Sequence, residues 1–170
     1  ALGLYRKSCD MGWGAGCYAA GVMSEEGRGI PANTAIAQQL YEKGCTLGDA
    51  ASCGLQGALM GMPSGKALLE QGCKGNDGYS CFLIGKASSG AEATTYFERA
   101  CKAGLGPACT LSGSRWESGE AGHKDSALAL QFYQQGCAKK DAIACTLAGV
   151  LLLPTQPADA YARFQQACGA

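Results

Sequence analysis

Cysteine offers the most chemistry in this chain, at 11 of 170 residues. Thiols at that density form disulfides, hold a soft metal ion such as zinc, or carry out redox exchange. They stand at positions 9, 17, 45, 53, 73, 81, 101, 109, 137, 145 and 168. Ten of them make five pairs spaced by eight residues: Cys9/Cys17, Cys45/Cys53, Cys73/Cys81, Cys101/Cys109 and Cys137/Cys145. Successive first members, with Cys168 as the last, are 36, 28, 28, 36 and 31 residues apart. The cysteines therefore mark an internal repeat, and the repeat dictates which elements must position them.

Counting from each first cysteine (position C) exposes those elements. At C−4 stand Tyr5, Tyr41, Leu69, Phe97, Tyr133 and Phe164, all large and apolar or aromatic. At C−8 stand Ala1, Ala37, Gly65, Ala93, Ala129 and Ala160, all small. A spacing of four residues keeps C−8, C−4 and C on one face of a helix. At C+12 stand Gly21, Gly57, Gly85, Gly113 and Gly149. A second short helix starting near the second cysteine brings that glycine to the same face, where its small size lets two helices approach. Each repeat is then a helix (A), a tight turn such as Cys45–Ala50, and a returning helix (B). The fold expected is all-α, an αα-hairpin solenoid, with repeats opening near residues 1, 37, 65, 93, 129 and 160. That makes residues 1–170 a single domain of five repeats plus one C-terminal helix.

The segment Gly27–Asn33, followed by Ala35 and by Leu40–Cys45, resembles the Sel1-like repeat. Gly48-Asp49 matches that family's turn, Gly57 its second-helix glycine, and Asp125 the acidic residue after its long loop. The cysteine pairs are similar to the cysteine-rich branch typified by the Helicobacter cysteine-rich proteins. The resemblance spans the whole chain and implies a right-handed, TPR-like superhelix. Departures are Gly65 and Leu69 in place of the usual Ala and Tyr, and the absence of the Gly-x-Gly loop from the two 28-residue repeats.

In such hairpins the first cysteine ends helix A and the second begins helix B, facing each other across the turn. A bridge there closes a loop of nine residues, and chain entropy values each at about 2.5 kcal/mol. Zinc would favour cysteines about two to four residues apart with histidine, and redox catalysis a Cys-x-x-Cys motif. Only His123 is present and no Cys-x-x-Cys occurs. Five disulfides are expected, with no metal and no cofactor. Cys168 has no partner eight residues on. It is read as belonging to a truncated last repeat, or else as a free thiol or an intermolecular bridge. The chain opens at Ala1 without Met or a signal peptide, so the missing leader carries no argument for the cytosol; the disulfides favour an oxidising space, the bacterial periplasm or the exterior.

Other chemistry is sparse. Gly-x-Ser-x-Gly and Ser-x-x-Lys motifs are absent, Gly27-Arg28-Gly29 is too short for a phosphate loop, and His123 reads as a solvated loop residue. Glu25-Glu26 reads as a helix-end pair. No enzyme is expected. Lys+Arg 14 against Asp+Glu 14 leaves no basic footprint for nucleic acid, and no apolar run is long enough to span a membrane.

A solenoid offers instead an extended surface. At C−3 and C−2 stand Arg6-Lys7, Glu42-Lys43, Glu70-Gln71, Glu98-Arg99, Gln134-Gln135 and Gln165-Gln166, facing away from the packed side. Glu42, Glu70 and Glu98 would form an acidic stripe, with Lys43 and Arg99 beside it. Trp13 is a candidate partner anchor and Trp116 a core residue. The function expected is a protein–protein interaction module of the bacterial envelope. The resemblance sharpens this to an immunity protein neutralising a secreted toxin, such as a type VI secretion lipase effector. Alternatives are an enzyme or binder acting on β-lactam or peptidoglycan, a secreted host-interacting factor, or an assembly factor of the mitochondrial intermembrane space.

Overall fold

A computed structural model of the chain describes residues 1–169, and these form eleven helices in hairpin order. The A helices are α1 (Leu2–Asp10), α3 (Thr34–Thr46), α5 (Lys66–Lys74), α7 (Gly90–Lys102), α9 (Ser126–Ala138) and α11 (Pro157–Cys168). The B helices are α2 (Gly14–Glu25), α4 (Ala50–Met60), α6 (Gly78–Ala87), α8 (Gly106–Ser118) and α10 (Ala142–Leu152). Two compact units divide the chain, one of Ala1–Leu83 and one beginning at Ile84. In the first, α1 packs on α2, α2 on α3, α3 on α4 and α4 on α5; in the second, the same succession runs from α7 to α11.

The turn inside each hairpin is one motif used five times. The residue at C+3, namely Gly12, Gly48, Asn76, Gly104 or Lys140, has a positive φ between 64° and 107°. Its N–H donates to the carbonyl of C, and the next N–H donates to the carbonyl of C−1: Gly48 to Cys45 and Asp49 to Gly44, at 2.9 and 3.0 Å. This is the Schellman termination, which satisfies carbonyls that helix A leaves open. Glycine suits the left-handed position, and asparagine tolerates it. Lys140 does neither, so Lys140→Gly is expected to raise stability by about 1 kcal/mol, read as a higher denaturant midpoint with unchanged slope. The following residue opens helix B, and Asp49, Asp77 and Asp141 each accept from backbone N–H groups there. Asp77 also accepts from the Ser80 hydroxyl.

Each turn carries its disulfide. Cys9–Cys17, Cys45–Cys53, Cys73–Cys81, Cys101–Cys109 and Cys137–Cys145 are bonded, with Cα–Cα separations of 4.5–4.7 Å. Helices that close need small neighbours, and the residues just before the two cysteines supply them. A Cβ on Gly136 would lie 2.6 Å from that of Ala144, and one on Gly72 or Gly44 would collide with Ser80 or Ser52.

Between hairpins the C+12 glycine seats the C−4 side chain of the next helix A. The rings of Tyr41, Phe97, Tyr133 and Phe164 lie against Gly21, Gly85, Gly113 and Gly149, where a Cβ would overlap ring carbons. Beneath them Ala37, Ala93, Ala129 and Ala160 are buried. Tyr5 departs from the pattern and is 43% exposed, because α1 packs mainly against α2. The repeat with Leu69 and Gly65 solves the contact differently. With no ring to accommodate, Gly57 and Gly65 meet backbone to backbone, and Leu69 sits on Gly57.

The two tyrosines also latch. Tyr41 OH donates to Glu25 Oε2 and Tyr133 OH to Glu117 Oε2, each at 2.7 Å. Glu25 is thus a structural acceptor, which corrects its reading as a mere helix-end charge; Glu26 pairs with Arg28 on the surface. Burial first, and the hydrogen bond to a carboxylate second, hold both phenols well above the ordinary tyrosine range. The folded state therefore keeps protons that the unfolded state releases above pH ~10. The latches' contribution is complete below that pH and is lost as pH rises beyond it. Each tyrosine removes about 1.4 kcal/mol per pH unit there. Denaturant unfolding at pH 9 and pH 11 is expected to show this loss, and Tyr41→Phe with Tyr133→Phe to flatten it.

Candidate protein-binding face

Along the A helices, away from the glycine seats, the same positions of successive repeats line open hollows. In the first unit one hollow of about 420 Å³ is lined by Arg6 and Asp10 from α1 and by Ile36, Gln39, Leu40 and Lys43 from α3. A second, of about 290 Å³, is lined by Glu42, Cys45 and Thr46 from α3, Gln56 from α4, and Leu68 and Gln71 from α5. Both use C−3 and C+1 of one A helix and C−5 and C−2 of the next. In the second unit a hollow of about 430 Å³ lies against Cys137, Ala138, Lys140, Cys145, Arg163, Gln166 and Gly169.

Disulfide-bonded cysteines are among the lining residues. Gln166 Oε1 lies 3.2 Å from Cys137 Sγ, and Gln135 Oε1 lies 3.6 Å from Cys101 Sγ. The C−2 side chain thus reaches back to the preceding bridge.

The candidate residues fare differently. Lys43 Nζ bonds Asp10 Oδ1 at 2.7 Å across α1 and α3. Glu70 is 3.9 Å from Lys66 on its own helix. Glu98 accepts from Trp116 Nε1 at 2.8 Å, and Arg99 lies over the Tyr96 ring, 5.6 Å from its centroid. Glu42 remains exposed, without an ion-pair partner among the described residues. The three glutamates therefore occupy three different electrostatic settings. Trp13 stands before α2 where three of the other hairpins place a capping Asp and one places Leu105, and is 68% exposed. Trp116 is half-buried against the cluster of Ala129, Tyr133 and Ala148. His123 meets its ring edge-on at 5.3 Å, so this histidine has a packing partner as well as solvent. Cys168 is exposed and unpaired.

Among the described residues no group of three or more His, Cys, Asp and Glu side chains is arranged to hold a metal, and no helix is long and apolar enough to cross a membrane. The Sel1 repeat profile matches residues 14–49, 79–105 and 109–141, together more than half of the chain. Three solved structures share the fold at low identity. A Sel1 repeat protein from Oxalobacter formigenes aligns with a TM-score of 0.77 and 19% identity over 94% of this chain and 74% of its own. A protective antigen of uropathogenic Escherichia coli strains gives 0.75 and 19% over 99% of this chain and 40% of its own. An immunity protein from Pseudomonas aeruginosa gives 0.67 and 17% over 98% of this chain and 73% of its own. No curated protein matches the chain in sequence.

Proposed function

The chain belongs to the Sel1 repeat family, whose repeats are protein-interaction modules, and from that premise we propose that it is a non-enzymatic binder of the bacterial envelope that neutralises a secreted toxin. The observation that carries the reading is the placement of the disulfides. Five bridges fix the hairpins, and the bridged Cys45, Cys137 and Cys145 line the open hollows. A surface rigidified in that way loses little conformational entropy on binding, which favours tight inhibition. The same bridges suit an oxidising compartment, the periplasm or the exterior. The fold shared with a Pseudomonas aeruginosa immunity protein supports the toxin-neutralising version, with a type VI secretion lipase effector as the partner class. A single domain formed by all five repeats belongs to the same proposal.

The test is an affinity pull-down from the native envelope fraction with the oxidised protein as bait and mass spectrometry as readout. One stoichiometric partner with toxin activity that the protein inhibits is the expected result. Recovery of no protein, with saturable binding of a β-lactam or glycan, would overturn the proposal in favour of small-molecule recognition.

A further inference from the structure

The two hollows of the first unit have the same build and opposite charge. In the α1–α3 hollow, Lys43 is neutralised by Asp10. Arg6 has no hydrogen-bond or ion-pair partner among the described residues and stands beside Ile36 and Leu40. The lining groups sum to one positive charge, and the free one is Arg6. In the α3–α5 hollow, Glu42 is the only charged lining residue, among Thr46, Gln56 and Gln71, with Leu68 as the apolar component. Arg6 and Glu42 occupy the same C−3 register on neighbouring A helices.

Resting on the reading of the chain as a protein binder, we propose that this face takes one extended segment of the partner that carries an acidic and a basic residue at a set spacing. A carboxylate of the segment pairs with Arg6, an apolar side chain enters between Ile36 and Leu40, and a lysine or arginine pairs with Glu42. Charge complementarity is the reason for this occupant. A guanidinium and a carboxylate, each left unpaired beside apolar side chains, gain most from an opposite charge that excludes water from the contact. The A helices α1 and α3 are bridged by the Lys43–Asp10 pair, which sets them roughly 10 Å apart, near the spacing of packed helices, and an extended chain advances about 3.3 Å per residue. The two charges of the segment therefore lie about two to four residues apart. A segment with two like charges at those places meets repulsion at one of the hollows and is rejected.

The probe is an array of synthetic 12-residue peptides that carry Asp and Lys, two Asp or two Lys at varied separation around a central Leu, bound to the oxidised full chain. Asp/Lys peptides are expected to bind at least about tenfold better than Asp/Asp or Lys/Lys peptides, which is about 1.4 kcal/mol. Arg6→Glu should shift the preference to Lys/Lys peptides, Glu42→Lys to Asp/Asp peptides, and the double reversal should restore the preference for Asp/Lys. Both side chains are on the surface, and an unchanged melting curve confirms that each variant folds. Binding without preference for the oppositely charged peptides, binding unchanged in Arg6→Glu, or binding of no peptide would overturn the proposal. The pull-down with the unaltered protein separates these failures from failure of the binder reading. A partner retained equally by wild type and Arg6→Glu leaves a binder that uses another face, whereas no partner at all removes the binder reading itself.

Discussion

Reduction of the five disulfides is expected to abolish cooperative folding at physiological temperature. Apart from cysteine, the fully buried residues are mainly alanine, glycine and serine, and the largest side chains below 2% exposure are Tyr41, Tyr133, Leu69 and Ile84. Small residues remove little apolar area from water, so the hydrophobic term per repeat is modest. Against it, five loops of nine residues at about 2.5 kcal/mol each sum to something on the order of 10 kcal/mol, comparable with the stability of an ordinary domain. Thermal melts followed by circular dichroism should show a sharp transition for the oxidised protein and a broad, low-temperature loss of helix after reduction and alkylation. Removing one bridge, as in Cys73→Ala with Cys81→Ala, should lower stability by about 2–3 kcal/mol. A reduced protein that melts where the oxidised one does would mean that packing alone sustains the hairpins.

The second large effect falls on the glycine that stands just before α5. Gly65→Ala is expected to cost about 2–3 kcal/mol, in the range of overpacked cores, although its backbone lies in the right-handed region that alanine adopts freely. The new methyl would enter the backbone of Gly57, with the carbonyl carbon at 2.7 Å and Cα at 3.0 Å. Backbone cannot rotate aside as a side chain can, so α4 and α5 must separate and Leu69 must leave its seat. Gly3→Ala in α1 is the control: nothing lies within 4 Å of its added Cβ, so propensity decides and stability should rise or hold. Equilibrium denaturation of the two variants gives opposite signs if close approach governs the interface. Equal, small effects would show that the helices shift apart without penalty.

The repeat was legible because its determinants are local and periodic. The C−8 and C−4 residues mark the buried stripe, paired cysteines mark the turn, and the C+12 glycine marks the interface between hairpins. The departures at Gly65 and Leu69 were visible as departures, but their reason lies in a neighbouring helix: a smaller side chain at C−4 allows two backbones to touch. The left-handed C+3 position was visible where glycine fills it. It was hidden at Asn76 and Lys140, where other residues hold the same backbone. The latches were missed although a signal existed, since Glu25 and Glu117 each precede the latched tyrosine by 16 residues. On the candidate face, sequence places Lys43, Glu70, Glu98 and Arg99 on exposed helix positions. It does not say which neighbour takes up each charge. Those pairings depend on how one hairpin lies against another, as between Lys43 and Asp10, which are 33 residues apart.

Counting free thiols tests the central claim, a covalently stapled array presenting a rigid surface, most directly. The protein isolated from an oxidising compartment is alkylated under denaturing, non-reducing conditions and its intact mass is measured. The account predicts one alkylated cysteine per chain, at Cys168, with the other ten protected. Alkylation of all eleven cysteines would contradict the staples, the compartment and the preorganised surface together.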